Sequence, residues 1–431
     1  MPQLPTLILG LLLQTSIAYA QADTPGDMPD PMLQQILQRL EALEAQNAQL
    51  QRQVDALLQQ NAALREQPAR VADAGAAAPS TPSAQPPAPS PDEWASRIRF
   101  KGDLRFRRES TDNEIALEER TREGVRARFG AQIKVNDKVE GEVALGTGGG
   151  NPRGGSATLG GGTSRKDFDL DLAYMSWRAL DDLTVTAGKM RQPFFRPGFS
   201  GFIDNEIRPE GVALAYEGPH GLFGSAFRYW LEERAQAPDS MLTGAQAGWR
   251  APAGDLKLVL GLGYYDYGSV RGQPSRFGNG VMNELGNTVI GTGADARYVY
   301  DYDIAQAFTE AGFAVGSVPL TIFADYARNI AADDGLDAAY NVGVAVGKAN
   351  AVGRWELGVM TQRVEKDALF AQWIDSDFGG GLADNRGEAY RFGWMLLKNL
   401  LLNVTYYDTQ YDVEAEPLHY RHWQLDFNFT F

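Results

Sequence analysis

The sequence predicts an all-β fold: a 16-stranded antiparallel up-and-down transmembrane β-barrel, preceded by a short α-helical coiled coil. Three observations carry this. Apolar and polar residues alternate with period two from about residue 95 to Phe431. The alternating segments number about 16 and run roughly ten residues each, the length that crosses a bilayer as a tilted strand. Short turns and long polar loops follow one another in strict alternation, which gives a barrel two rims in different surroundings.

Composition narrows the classes. The chain has 431 residues, a formal charge of −15, 47 glycines and no cysteine. Disulfides, thiol chemistry and cysteine-based zinc sites are therefore excluded. Net acidity argues against nucleic acid as a partner, since phosphates call for a basic footprint. Past residue 20 there is no apolar run of about 18 residues, so no spanning helix is expected in the mature chain.

Residues 1–20 read as an export signal: LILGLLL (Leu7 to Leu13) is a short apolar core, and Ala18-Tyr19-Ala20 a small-x-small cleavage site. The first six residues depart from the pattern in lacking Lys or Arg. After a short segment (21–30), Asp30-Pro31 supplies an N-cap and a proline at the first helical position. A heptad repeat occupies 31–67. Leu33, Leu40, Asn47, Val54 and Asn61 take position a; Ile36, Leu43, Leu50, Leu57 and Leu64 take position d. This is the pattern of a self-associating rod roughly 55 Å long, in which Asn47 and Asn61 fix register; a single amphipathic helix packed on its own chain is the alternative. Pro68 ends it, and the Ala/Pro/Ser-rich stretch 68–94 reads as an extended linker that cannot build a core.

The barrel occupies 95–431. In RIRFKGDLRFR (Arg97 to Arg107), Ile98, Phe100, Leu104 and Phe106 share one parity with Gly102, and Arg97, Arg99, Lys101, Asp103, Arg105 and Arg107 share the other. The first face meets lipid and the second a water-filled lumen. GVRARFGAQIKV, LKLVLGLGYY, NLLLNVTYY and HWQLDFNFTF repeat the pattern. Turns are expected at Asn136-Asp137, Asp181-Asp182, Gly218-Pro219, Pro252 to Gly254, Ser317 to Pro319, Asn350 and Lys398-Asn399. Long loops are expected at about 110–119, 148–166, 195–209, 232–240, 268–302, 329–338, 367–387 and 409–418. Aromatic strand ends (Tyr406, Trp423, Phe427, Phe429, Phe431) suit an interfacial girdle.

The block from DLDLAYMSWRALDDLTVTAGKMRQPF (Asp169 to Phe194) through NEIRPEGVALAY (Asn205 to Tyr216) resembles the porin family of Gram-negative outer membranes, and the terminal Phe431 resembles the assembly signal of such barrels. The resemblance covers roughly residues 95–431. It implies a non-enzymatic channel in the outer membrane, commonly a homotrimer with a pore in each subunit, and a coiled coil on the periplasmic side. By the same resemblance the loop FFRPGFSGFIDNEIRPE (Phe194 to Glu210) folds inward, making Arg196, Asp204, Glu206 and Arg208 constriction candidates. The longest loop, 268–302, is the alternative plug.

Sixteen strands enclose a lumen too wide for wall side chains to fill. Arg99, Lys101, Arg105, Arg122, Arg126, Arg128 and Lys134 are expected to line it, opposed by Glu140, Glu142, Asp167, Asp169 and Asp171. Such a wall is either self-neutralising or sets a field across the path of ions. GTGGGNPRGG lacks the Gly-Lys-Ser/Thr of a P-loop and reads as an external loop. His419 and His422 fall on opposite strand faces, which argues against a shared metal, and DFDLDL offers only a weak calcium pattern. No cofactor is expected. The expected function is passive diffusion of small hydrophilic solutes and ions, with weak anion preference if mid-strand Arg105, Arg126 and Arg128 outweigh acid in exposed loops such as AADDGLD and DSDF. The alternative is a structural tether, in which the coil grips peptidoglycan and the barrel is an anchor in outer-membrane lipid.

Overall fold

The computed structural model describes residues 95–431, other than 117, 236–237, 276–282 and 334. The expected signal segment, coiled-coil helix with its heptad residues, and linker lie outside the described residues.

Sixteen long strands are present among the described residues. The first eight are β1 (Ile98–Asn113), β2 (Arg120–Lys134), β3 (Val139–Gly146), β4 (Asp169–Leu180), β5 (Leu183–Lys189), β6 (Glu210–Glu217), β7 (Leu222–Glu232) and β8 (Ser240–Ala253). The rest are β9 (Leu256–Gly268), β10 (Tyr302–Val315), β11 (Val318–Asn329), β12 (Ala338–Gly347), β13 (Trp355–Val364), β14 (Asn385–Leu397), β15 (Leu400–Tyr411) and β16 (Leu418–Thr430). Each pairs antiparallel with its sequence neighbours, and β1 also pairs with β16 from Asp103↔Thr430 to Asn113↔Tyr420, which closes the sheet. Closure matters because a bilayer core offers no partner for an open edge. No described helix is long and apolar enough to cross a membrane.

The register places the alternating faces as the sequence predicts. Phe100, Leu104 and Phe106 on β1, and Phe129 and Ile133 on β2, lie on the exposed outer surface. Arg105, Arg107 and Arg126 turn inward and are largely covered. On β16, His422, Gln424 and Asp426 are buried inside while Trp423, Phe427 and Phe429 are outside. Tyr406 stacks on Trp423 with ring centroids 4.4 Å apart, part of the outer aromatic surface. Short turns join β2–β3, β4–β5, β6–β7, β8–β9, β10–β11, β12–β13 and β14–β15; the long connections leave from the other rim. The register shifts at four places among the described residues, one of them between Ala144 and Leu145 opposite β4. Asp171 and Leu172 then both turn inward, Asp171 to an ion pair with Arg208 and Leu172 to full burial.

The lumen is not an open cylinder. Inward positions on β7–β10 carry Phe227, Tyr229, Leu242, Tyr265, Tyr267, Tyr302 and Ile304, so near the long-loop rim these strands are largely apolar inside as well as outside. The connections 190–209 and 365–384, and the described residues 269–275 and 283–301, fold inside and pack Phe194, Phe202, Tyr298, Phe370 and Trp373 against them. Water-filled space there would leave aromatic rings wet; covering each is worth roughly 1.5–3 kcal/mol. The buried backbone of these loops is bonded by side chains. Asn287 Nδ2 donates to Lys366 O and Leu369 O at 2.8 and 3.0 Å, and Ala371 N donates to its Oδ1 at 2.9 Å. Gln372 Nε2 donates to Ser275 O, Asn283 O and Tyr298 Oη. Wall side chains alone could not fill a 16-stranded lumen; loops complete the filling on one side, and both the 195–209 loop and the longest loop take part.

The outer face predicts a test. Leu262 sits mid-strand on β9 and is 67% exposed. Leu262→Arg should destabilise the folded barrel by about 2–4 kcal/mol in lipid, whereas the same change at a loop position should cost little. Denaturant unfolding in liposomes measures the difference.

Candidate functional site

The loop that narrows the lumen is held by the wall. Gln246 on β8 accepts from Phe195 N at 2.8 Å and donates to Phe195 O at 2.9 Å. Glu310 on β10 accepts from Gly198 N, and Asp325 on β11 from Ser200 Oγ, both at 2.8 Å. Gln362 on β13 accepts from Gly201 N at 3.2 Å. Gly198 has φ +51°, and a Cβ there would overlap the Phe323 ring, so only glycine lets the loop pass this close. Loop 190–209 is then joined to loop 365–384. Asp204 N donates to Trp373 O at 2.7 Å, Asp375 N to Gly201 O at 3.0 Å, and Ser376 N to Asp204 Oδ2 at 3.0 Å.

A third loop reaches the same junction. Arg153 is buried, and its Nη1 donates to Ala371 O, Ile374 O and Gly381 O at 2.9–3.3 Å. The glycine-rich GTGGGNPRGG stretch is therefore no external loop. Its glycines let it fold inward: a Cβ at Gly155 would crowd Glu206 and Arg126. DSDF is likewise not exposed: Phe378 is fully buried and Asp375 and Asp377 face the lumen. In AADDGLD, Asp337 is buried and bound by Arg328 at 3.0 Å. A sequence gives no signal that a polar loop turns inward, because the apolar wall it covers is far away in the chain.

What remains open is a cavity of about 570 Å³ between this loop junction and the wall formed by β1, β2 and β14–β16. Seven arginines and seven acidic residues border it. Most of these charges are spent on each other. Asp103 accepts from Arg126 Nε at 2.9 Å and from Arg128 Nε at 2.7 Å. Glu206 lies 2.5 Å from Arg126 Nη1, 3.7 Å from Arg105 and 3.8 Å from Arg128. Arg107 binds Asp426 at 2.7 Å and lies 3.5 Å from Asp377, and Arg122 binds Glu109. Arg196 donates to Ile203 O at 2.8 Å and has no carboxylate within 4 Å among the described residues. Arg391 has none either; its guanidinium lies over the Phe199 ring, 4.9 Å from the centroid.

The loop carboxyls differ in charge state. Burial, with Asp375 close by, pushes Asp204 up to about 7. Burial and Asp377 also raise Asp375. Burial alone would raise Glu206 and Asp377, but Arg126 and Arg105 outweigh it at Glu206, as do Arg107 and His422 at Asp377, and both are held below the usual range.

The expected site residues thus divide. Arg105, Arg122, Arg126, Arg196, Asp204 and Glu206 meet at the cavity. Arg128 and Arg208 flank it, Arg208 bound to Asp171 at 3.4 Å. Asp169 lies on a separate cavity of about 340 Å³, where Gly150 N donates to it at 3.1 Å. Lys101 is lower on the wall, bound to Glu142 with Arg191 and Tyr174. Lys134 is at the short-turn rim, paired with Asp137, and Arg99 is exposed beside Gln132 of β2. His419 and His422 do lie on opposite faces, and no acidic or histidine group that could hold a metal occurs among the described residues. Sequence reasoning missed Arg153, Arg391, Asp375 and Asp377 as lumen residues. Arg391 was open to detection, since it falls inside the alternating segment Asn385–Leu397.

A closed 16-stranded barrel with an apolar outer face and a charged, loop-narrowed lumen is the architecture of an outer-membrane diffusion channel. Residues 111–289 match the model of the family described as "Putative porin". That match contains the segment whose resemblance to porins the sequence shows. Among solved structures, the barrel is similar to OprB of Pseudomonas putida at high pH, with TM-score 0.55, 14% identity, and coverage of 79% of this chain and 96% of that one. Weaker likenesses are OmpF of Salmonella typhi in complex with daunomycin (TM-score 0.48, 13% identity, 78% and 97% coverage) and OmpT of Vibrio cholerae in its trimer form (0.44, 13%, 78% and 99%). The likeness to OprB shows the shared fold. No curated protein matches the sequence.

The Asp204 carboxyl gives a pH dependence. Its folded value, about 7, lies above that of a free aspartate, so protonation favours the loop junction and that stabilisation is lost as pH rises from about 4 through about 7. Ionisation adds a negative charge at the cavity. Reversal potentials across a salt gradient should shift toward cations as pH rises from about 5 to about 9, and Asp204→Asn should flatten the step near neutrality.

Proposed function

We propose that the chain forms a homotrimeric porin for passive diffusion of small hydrophilic solutes and ions, with weak anion preference. The observation that carries the preference is the charge state of the cavity. Its arginines and acidic residues are equal in number. Asp204 and Asp375 are held toward neutrality, and the Glu123 carboxylate pairs with Arg108, at 3.4 Å. The cations are left in excess. A low-dielectric wall keeps this excess effective on each passing ion, while charges on outer loops are screened within ~8 Å. The whole-chain charge of −15 therefore does not set selectivity.

The trimer rests on the porin resemblance together with the heptads of residues 31–67. The same heptads and the proline-rich linker support a periplasmic rod that reaches peptidoglycan, making a channel that is also a tether.

Planar-bilayer recording of the full chain tests the channel. Stepwise conductance with a reversal potential on the anion side is expected; no steps, or clear cation preference, would overturn the reading. Glu206→Gln should strengthen anion preference, because it leaves Arg105, Arg126 and Arg128 short of their shared carboxylate. Deleting 21–93 should leave conductance per pore intact and weaken co-sedimentation with peptidoglycan; equal sedimentation would remove the tether. Cross-linking in mild detergent should saturate at trimers.

A further inference from the structure

The ion pairs separate the lumen arginines into those whose charge the wall has already met and those whose charge is free. Arg105, Arg107, Arg122, Arg126 and Arg128 each lie within 4 Å of a carboxylate. Arg153 is consumed by three backbone carbonyls. Arg196, on the narrowing loop, and Arg391, on the β14 wall, keep their positive charge facing the cavity. Arg391 is near enough to Arg196 to disfavour charge on it. Asp204 and Asp375 are also in electrostatic reach of Arg196, but beyond ion-pair distance. Backbone donors hold both oxygens of Asp204, Glu206 N at Oδ1 and Ser376 N at Oδ2, and Asp377 N and Phe378 N both bond Oδ1 of Asp375.

The surroundings of Arg391 are as specific as its charge. Its strand neighbours are Gly358 on β13 and Thr405 on β15. Gly358 leaves a hollow that the Phe199 ring fills, since a Cβ there would press on that ring at 2.8 Å. Phe199 packs edge-on to Phe323 with centroids 5.0 Å apart, so the ring beneath the guanidinium is itself fixed. Phe199, Met360, Ala389 and Tyr407 border the same cavity as one apolar strip beside the free guanidinium. An inorganic anion would use only the charge. An organic carboxylate with an apolar body would use both.

We infer that Arg391 and Arg196, with the Phe199–Met360–Tyr407 strip, form a lumen subsite for small organic carboxylates carrying an apolar body. The inference rests on the channel reading above and names the solute class that the anion-preferring pore retains. Arg391 donates to the carboxylate, Arg196 adds the second positive charge from the loop, and the apolar body lies along the strip. Binding of this kind slows a solute inside the pore and raises its share of the traffic at low concentration.

The test is single-channel recording of the full chain in potassium chloride, with sodium benzoate as probe, benzamide as its neutral counterpart and sodium phosphate as the anion without an apolar body. Benzoate should interrupt the chloride current in a concentration-dependent way, with benzamide inert and phosphate much weaker. Arg391→Gln should weaken the benzoate effect about tenfold, the loss expected for charge-assisted hydrogen bonds, with Arg196→Gln close behind and Arg391→Lys in between. Lys134→Gln, at the far rim, should change nothing. Equal interruption in wild type and Arg391→Gln would overturn the subsite, and phosphate as effective as benzoate would overturn the apolar component. If salt-gradient potentials show anion preference but benzoate is inert, the subsite alone fails. If benzoate interrupts the current through a pore without anion preference, the subsite stands and the selectivity reading fails.

Discussion

The constraint on which the rest of the structure depends is the absence of hydrogen-bond partners in the bilayer core. Every strand must be paired on both edges, so β1 must meet β16, and the sequence is bound to a period of two over more than 300 residues. Closure at 16 strands then creates an interior that wall side chains do not span. What fills that interior is a second problem, and the chain solves it differently on the two sides. Near the long-loop rim of β7–β10 the inward positions carry Phe227, Tyr229, Leu242, Tyr265, Tyr267, Tyr302 and Ile304, and long connections cover them. Along β1, β2 and β14–β16 the inward positions are charged or polar, and the space stays open.

This division explains why the narrowing loop is fixed. Its polar anchors, Gln246 on β8, Glu310 on β10, Asp325 on β11 and Gln362 on β13, bind backbone or hydroxyl groups of residues 195–201. Its charged stretch, Asp204 to Arg208, is presented to the open side. One end of the loop is thus packed as a protein core is packed, with its polar groups bonded, while the other carries the charges that a solute meets. Arg153 and Ser376 lock the next two loops onto the same edge, with Ser376 Oγ donating to Arg153 O at 3.0 Å.

The sequence made the frame legible because the bilayer leaves few ways to satisfy it. Alternation in RIRFKGDLRFR separated Phe100, Leu104 and Phe106 from Arg105 and Arg107, and the structure has them on opposite faces. Turns at Asn136-Asp137, Asp181-Asp182 and Lys398-Asn399 fall between strands as their residues require. The site was legible only in part. Arg196, Asp204 and Glu206 could be placed by resemblance, but Asp375, Asp377 and Arg153 sit in polar stretches that carry the same residues an outer loop would carry. Their inward fold depends on Phe370, Trp373 and Phe378 finding aromatic walls that other strands supply. Parity also fails at Asp171 and Leu172, where a bulge turns adjacent residues the same way.

Pairing matters more to selectivity than the number of charges. Reading the strands alone makes Arg105, Arg126 and Arg128 the dominant cations, since they cluster near mid-strand. In the barrel Asp103 lies between Arg126 and Arg128, and Glu206 reaches across from the loop to all three. A guanidinium that already shares a carboxylate offers a passing anion less field and fewer free donors. Arg391 has the opposite history: its neighbours across the strands are Gly358 and Thr405, neither of which can neutralise it, and an aromatic ring holds it in place. The narrow part of the pore therefore has its most available positive charge on β14, three strands along the same wall from the β1–β2 arginine cluster, where the flanking surface is apolar. In the proposed anion-preferring pore a passing anion meets Arg391 and Arg196 first, while Arg105, Arg126 and Arg128 hold Glu206 and its loop against the wall.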